Sequence, residues 1–304
     1  MVLVSVICVV YNDLHHLKRL SPSLDRQSFK NFEVIIVDNA RSETVRKYAE
    51  ELQANGHRRI VYVPNVNDGY TGGNVTGVKH AKGDYVMITN PDTILEKDTM
   101  EKLVRDFSRK PDNVMVLVPK ILIRQTDVIN SIGMKRIRPT ENIYTNIGFM
   151  DRDVGQFDAP QKVEAFDGAA FMFRRKLLHS TYLFDPRYFF GNECVDLAER
   201  MAKLGFSAYT CPSAVVHHQL RGSFSSSKEN DRITVIIIRN SLVHTLHNTD
   251  LTMFLRTLII GICFRNIFGR ILTGNNRRLT TVYLRALIMF VTQLGRFSGQ
   301  PLPN

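Results

Sequence analysis

Five apolar runs rich in β-branched residues recur through the first 120 residues, and polar stretches of helical character separate them. The runs are "VLVSVICVV" (2–10), "FEVIIVD" (32–38), "RIVYVP" (59–64), "GDYVMIT" (83–89) and "VMVLVP" (114–119). A continuous apolar run of this kind suits a parallel strand covered on both faces, and parallel strands need long crossovers. Leu14–Leu24, the Ser42-capped "SETVRKYAEEL" and "EKDTMEKLVRDF" (96–107) supply them as helices. This alternation predicts an α/β fold, Rossmann-like, with a mostly parallel central sheet flanked by helices.

In such sheets a ligand sits beyond the carboxyl ends of the strands. Tyr11-Asn12, Asp38-Asn39 and Asn90-Pro91-Asp92 all fall at those ends, so the polar clusters are expected to meet in one crevice. Proline in "ITNPDT" (88–93) stops the ladder and stiffens the corner that carries Asn90 and Asp92. A rigid pair of oxygen-bearing side chains suits a hard divalent cation bridging a diphosphate, although an ordinary turn uses the same residues. Asp38 is a candidate for a base or ribose contact, or a turn cap. "NVNDGYTGGNVTG" (65–77) places Gly72-Gly73 just before an expected short helix, where bare backbone N–H groups approach an anion or simply turn. It is not a dinucleotide fingerprint, because it does not follow the first strand.

Later in the chain, "FDPRYFFGNECVDLAERMAKLGF" (184–206) predicts a turn and then a helix from about Glu193 to Leu204. Glu193 and Asp196 lie three residues apart near its start, on one face. Either carboxylate is a candidate general base, and acids also favour a helix N-terminus through its dipole. "SAYTCPSAVVHHQ" (207–219) reads as two short strands about a Pro turn, with His217 and His218 sent to opposite faces. "RGSFSSSKEND" (221–231) reads as a mobile loop and a boundary.

Residues 232–304 carry nine Arg, no Lys, one acid (Asp250) and therefore a net charge of +8, out of +11 for the whole chain of 304 residues. This concentration predicts an anionic partner. No aromatic-and-basic nucleic-acid motif accompanies it, so a membrane surface is favoured over nucleic acid. The apolar stretches here are interrupted by Arg239, Arg256, Arg265, Arg270 and Arg285, which suits interfacial helices with snorkelling side chains, or helices packed on the main domain. The four cysteines are scattered without a CxxC pair, which excludes a zinc framework and suits a reducing compartment. The opening run has no charged leader and reads as a buried strand.

"VSVICVVYN", "VIIVDNARS", "NDGYTGGNVTG", "GDYVMITNPDT", "FDGAAFMFRR", "FDPRYFFGNECVDLAERMAKLGF" and "PSAVVHHQLRGS" follow one another in an order that resembles the family-2 inverting glycosyltransferases of GT-A fold. The rhamnosyltransferase-like branch is the most similar. The resemblance covers about residues 2–223 and implies a GT-A domain over 1–223, a flexible loop over 224–231 and a basic, helical C-terminal region over 232–304. It implies nucleotide contacts from Tyr11, Asn12, Asp38, Asn39, Gly72, Gly73 and Asn90, and a donor-sugar loop at Asp167 and Gly168. It also implies Mg²⁺ or Mn²⁺ on Asp92 and His218.

The implied partners are a nucleotide-sugar donor, a glycan or lipid-linked acceptor and the membrane surface, with no nucleic acid. The implied location is cytoplasmic and peripheral at the inner face of the cell membrane. One departure stands out. Where the family carries an acidic residue usually taken as general base, this chain has Cys194, leaving Glu193 or Asp196 for the role. An inactive relative that binds nucleotide sugar or lipid as a partner subunit is the alternative reading.

Overall fold

The computed structural model describes residues 3–55, 59–138, 143–185, 187–219, 227–256, 258 and 277–297. Each expected strand is present: β1 (Val4–Val10), β2 (Phe32–Asp38), β3 (Ile60–Pro64), β4 (Tyr85–Thr89) and β6 (Val114–Ile123). Helices α1 (Leu14–Asp25), α2 (Glu43–Asn55), α3 (Gly69–His80) and α4 (Thr99–Arg109) connect them, and β5 (Thr93–Leu95) precedes α4. Beyond β6 come β7 (Ile129–Ser131), a small two-stranded sheet of β8 (Met134–Arg138) and β9 (Ile143–Asn146), and β10 (Lys162–Val163). Then follow β11 (Ala170–Arg174), a short 3₁₀ turn, α5 (Glu193–Lys203) and β12 (Ser207–His218).

The main sheet runs β10-β12-β6-β11-β4-β1-β2-β3, with β5 beside β12 and β7 beside β6. β3, β2, β1 and β4 are mutually parallel; β11 is antiparallel to both β4 and β6, and β12 is parallel to β6. "SAYTCPSAVVHHQ" is one strand rather than two. Its register shifts between Cys211 and Val215, where Pro212 leaves the ladder at an irregularity instead of ending the strand.

Alternation along the strands divides the core. Val4, Val6, Cys8 and Val10 face α1, α2 and α4 through Leu17, Leu20, Val45, Met100, Leu103 and Phe107. Ile7, Ile35, Val37 and Ile88 face the layer of α3 and α5, with Phe171, Phe184, Leu197 and Met201. Each fully buried side chain of this size contributes roughly 1.5–3 kcal/mol through removal from water.

The C-terminal region forms α6 (Ser227–Asn248), α7 (Leu251–Arg256) and α8 (Arg277–Phe297). Of the expected flexible loop, residues 227–231 belong to α6, while residues 224–226 lie outside the described residues. Tyr188, Leu242, Val243, Phe254 and Phe290 make a separate apolar cluster that joins α6, α7 and α8 to the segment before α5. Arg239 is buried and donates to the Arg187 carbonyl at 2.9 Å, so it points into the molecule and does not snorkel. Arg256 and Arg285 are exposed, whereas Arg265 and Arg270 lie outside the described residues.

Candidate active site at the strand ends

β1 is followed by β2 on one side and bordered by β4 on the other, so the order of the sheet reverses about β1 and opens a crevice at the carboxyl ends. The Asn90-Pro91-Asp92 corner sits there. Asn90 N–H donates to the Ala169 carbonyl at 2.9 Å, and the Asn90 carbonyl accepts from Thr93 N–H at 3.3 Å and Thr93 Oγ1 at 2.8 Å. The corner is thus closed on both sides by the backbone, and Pro91 fixes its φ.

β5 pairs Thr93 with His218 of β12, which brings the ring of His218 to Asp92. Asp92 Oδ1 and His218 Nε2 lie 3.4 Å apart, and Gln219 N–H donates to the Asp92 carbonyl at 3.0 Å. Burial alone lowers the His218 pKa, but Asp92 outweighs it and raises the value, with Asp167 acting in the same direction. Two bonds of about 2.1 Å meeting near a right angle place donor atoms about 3 Å apart, so the pair fits a shared divalent ion. His217 goes to the opposite face, 3.3 Å from Glu96, as alternation requires.

Glu193 opens α5. Gly191 (φ +85°) and Asn192 (φ +71°) turn the chain through left-handed conformations into α5. Glu193 is 6% exposed, its Oε1 accepts from the Cys194 thiol at 3.7 Å, and its Oε2 is buried with no hydrogen-bond partner among the described residues. Burial pushes its pKa up to about 7, and the nearby Asp167 carboxylate adds to the rise. Asp167 therefore lies within electrostatic reach of both Glu193 and His218. Its Oδ1 accepts from Ala169 N–H at 2.8 Å and its Oδ2 from Asn146 Nδ2 at 3.1 Å.

A side chain on Gly168 would meet Tyr70 Oη at 3.0 Å, Glu193 Oε1 at 3.2 Å and Cys194 Sγ at 3.4 Å. The bare backbone leaves that space open. Burial holds the Cys194 thiol far above its ordinary pKa, so it stays neutral and is no base.

Several sequence-selected residues are engaged in shaping the crevice. Asp38 accepts from Ala40 N–H (3.0 Å), Ser42 N–H (2.6 Å) and Tyr62 Oη (3.0 Å), which caps the turn into α2. Asn39 donates to the Gly69 carbonyl and accepts from Asn65 Nδ2, both at 2.8 Å. Tyr11 is half exposed at the end of β1, and Asn12 takes a left-handed conformation (φ +57°).

Gly72 and Gly73 stand inside α3, not before it. A Cβ on Gly73 would lie 2.6 Å from Val9 Cγ1, so this glycine lets the helix sit close on β1 rather than cradling an anion. Asp196 turns to α6. It accepts from Arg200 Nε at 2.8 Å and Asn248 Nδ2 at 3.0 Å, with His244 Nδ1 at 3.7 Å.

Sequence reasoning missed two contributors. Tyr70 donates to the Gly168 carbonyl at 2.6 Å, tying α3 to the Asp167 loop. Asn240 of α6 donates to the carbonyls of Phe190 and Gly191, both at 2.8 Å, and so holds the turn that presents Glu193. "GYTGG" offered a signal for Tyr70, an aromatic hydroxyl at a helix start, but nothing local marked Asn240.

The family model for glycosyl transferase family 2 matches residues 5–181. Glycosyltransferase GlyA of Streptococcus pneumoniae is 28% identical over 102 residues, 34% of this chain and 14% of GlyA. The crystal structure of GalNAc-T7 with UDP, GalNAc and Mn²⁺ superposes with a TM-score of 0.66 at 16% identity, over 100% of this chain and 59% of that one. The crystal structure of Staphylococcus aureus TarS 1–349 superposes with a TM-score of 0.57 at 15% identity, covering 95% of this chain and 80% of that one. The chain thus spans well under two thirds of GlyA and somewhat under two thirds of the GalNAc-T7 chain, and the two superpositions establish the GT-A fold. With its matched segment running from β1 through β11, the chain belongs to glycosyl transferase family 2.

Proposed function

We propose that this chain is an inverting glycosyltransferase that moves a sugar from a nucleotide diphosphate to a hydroxyl of a glycan or lipid-linked glycan. The observation that supports this reading is that the Asp167–Ala169 segment touches both poles: Asn90 N–H donates to the Ala169 carbonyl at 2.9 Å, and a Cβ on Gly168 would lie 3.2 Å from Glu193 Oε1. Asp92 and His218 converge at 3.4 Å, and the buried Glu193 has an unpartnered oxygen. Asp92 and His218 would hold a divalent cation, Mg²⁺ or Mn²⁺, which supplies positive charge to the leaving diphosphate. Asn90 and the Tyr11-Asn12 and Asp38-Asn39 strand ends would border the nucleotide, while Asp167 and Gly168 would border the sugar.

Glu193 takes the proton from the acceptor hydroxyl. The acceptor oxygen forms its bond to the anomeric carbon as the bond from that carbon to the diphosphate oxygen breaks on the opposite face, and the nucleoside diphosphate leaves. One displacement inverts the anomeric centre. Because Glu193 has a pKa near 7, it is poised to be ionised at neutral pH and still basic enough to accept a proton.

The C-terminal helices would rest on a membrane surface that carries the acceptor. Leu284, Ile288 and Val291 form an exposed apolar stripe on α8, and Leu251 and Leu255 another on α7, with Arg256 and Arg285 exposed beside them. Among the described residues no helix is long and apolar enough to cross a membrane. The reading is tested by titrating UDP into the chain with and without Mn²⁺, and by turnover of a panel of nucleotide sugars. Asp92→Ala should abolish the Mn²⁺ dependence of UDP binding and lower turnover about 10²–10³-fold. Wild-type turnover in Asp92→Ala contradicts the reading.

A further inference from the structure

Asp13, His15 and His16 lie where β1 gives way to α1, and each offers one ligand atom within 4.8 Å of the others. Asp13 occupies the N-cap position of α1. His15 is exposed, and its ring lies 3.8 Å from that of His16, centroid to centroid. His16 is 1% exposed, and neither of its ring nitrogens has a hydrogen-bond partner among the described residues. A buried imidazole with two unsatisfied nitrogens carries a desolvation cost that a bound partner would relieve.

We propose that Asp13, His15 and His16 form a binding site for a transition-metal dication of the Zn²⁺ class. The donor set decides the class. Two imidazole nitrogens and one carboxylate oxygen suit Zn²⁺ and its neighbours, whereas Mg²⁺ and Ca²⁺ prefer oxygen throughout. Three protein ligands leave a fourth tetrahedral position for water or an incoming anion.

The site is distinct from the Asp92–His218 pair but borders the same crevice. Both Asp13 and Asp92 act electrostatically on the buried Cys8 of β1, so the two carboxylates flank the end of that strand. An ion here would tie the left-handed Asn12 corner to the first turn of α1 and fix the side of the crevice on which Tyr11 stands. This inference does not depend on the transfer reaction proposed above.

The test is equilibrium competition for Zn²⁺ between the untagged full chain and a chromophoric chelator, with metal content measured after gel filtration. The expected result is one Zn²⁺ per chain beyond any held by the Asp92–His218 pair, and an upward shift in the melting temperature on adding Zn²⁺. His15→Ala removes an exposed ligand and leaves the core intact. It should weaken Zn²⁺ by more than the roughly 10–100-fold that loss of a mere supporting residue costs. His16→Gln and Asp13→Asn should do the same, and Asp92→Ala should still take up one Zn²⁺ per chain. Equal uptake by Asp92→Ala and the double variant Asp92→Ala/His15→Ala, or loss of all uptake in Asp92→Ala, overturns the proposal. Failure of the transferase reading would leave the Zn²⁺ stoichiometry untouched.

Discussion

The crevice end of α5 and its flank against α6 both carry a buried carboxylate, and the fold treats the two in opposite ways. Glu193 at the crevice keeps one oxygen unpartnered, and burial raises its pKa to about 7. Asp196 on the flank is held by Arg200, Asn248 and His244, and its burial is outweighed by His244 and Arg200, which lower its pKa. A carboxylate with one oxygen left unpartnered in a dry site is costly for stability and useful for proton transfer. One surrounded by donors is a tie between helices. The difference teaches that α6 sets the two acids apart. Through Asn240 it shapes the turn before Glu193, and through His244 and Asn248 it holds the second acid of α5.

The largest effect expected from this contrast is on turnover. Glu193→Gln keeps the size and removes the basicity, so transfer should fall roughly 10²–10⁴-fold while UDP binding with Mn²⁺ stays near wild type. The wild-type kcat/KM should rise about tenfold per pH unit below pH 7 and level off above it, because only ionised Glu193 accepts a proton. A flat profile through pH 7 breaks the assignment of Glu193 as base.

A smaller effect is expected one layer away. Asn240→Ala frees the Phe190 and Gly191 carbonyls and loosens the presentation of Glu193, and should lower kcat about 10–100-fold with little change in the donor KM. A KM effect without a kcat effect would show that α6 serves the donor instead.

The smallest kinetic effect should come from Asp196→Asn. Turnover should stay within about threefold of wild type, but stability should drop by about 1–3 kcal/mol as Arg200 and His244 lose the Asp196 charge. The sign of the pH dependence follows. With a folded pKa below its unfolded value, Asp196 contributes stability that is present above that unfolded value, ordinarily about 3.9, and lost as pH falls through the folded pKa. Denaturant melts of the variant should therefore approach those of wild type in acid and diverge near neutrality. If Asp196→Asn were as inactive as Glu193→Gln, the contrast between the two acids would collapse.

Strand positions and the Asn-Pro-Asp corner were legible because their signals are local: a β-branched run, a proline, a polar pair at a strand end. The partnership of Asp92 and His218 was legible only through the family resemblance, since 126 positions separate them and β5 brings them together by pairing with β12. What stayed hidden depends on neighbours distant in sequence. The close seat of Gly73 within a helix depends on Val9 of β1, 2.6 Å from where its Cβ would lie. Glu193 and Asp196 look equivalent in the sequence, and only the partners from α6 separate them. Arg239 carries the same charge as the exposed arginines around it, yet the carbonyl of Arg187 draws it inward. The antiparallel insertion of β11 between β4 and β6 also follows from pairing that no local pattern states.

The central claim is that a cation pole and a base pole face each other across one crevice. Crystals of the full chain grown with UDP and Mn²⁺ and measured at the manganese absorption edge test it most directly. The account predicts an anomalous peak bonded to Asp92 and His218, with the diphosphate on the same ion and Glu193 turned toward the open space beyond it. A peak on other residues, or UDP bound away from the ends of β1 and β4, would contradict it.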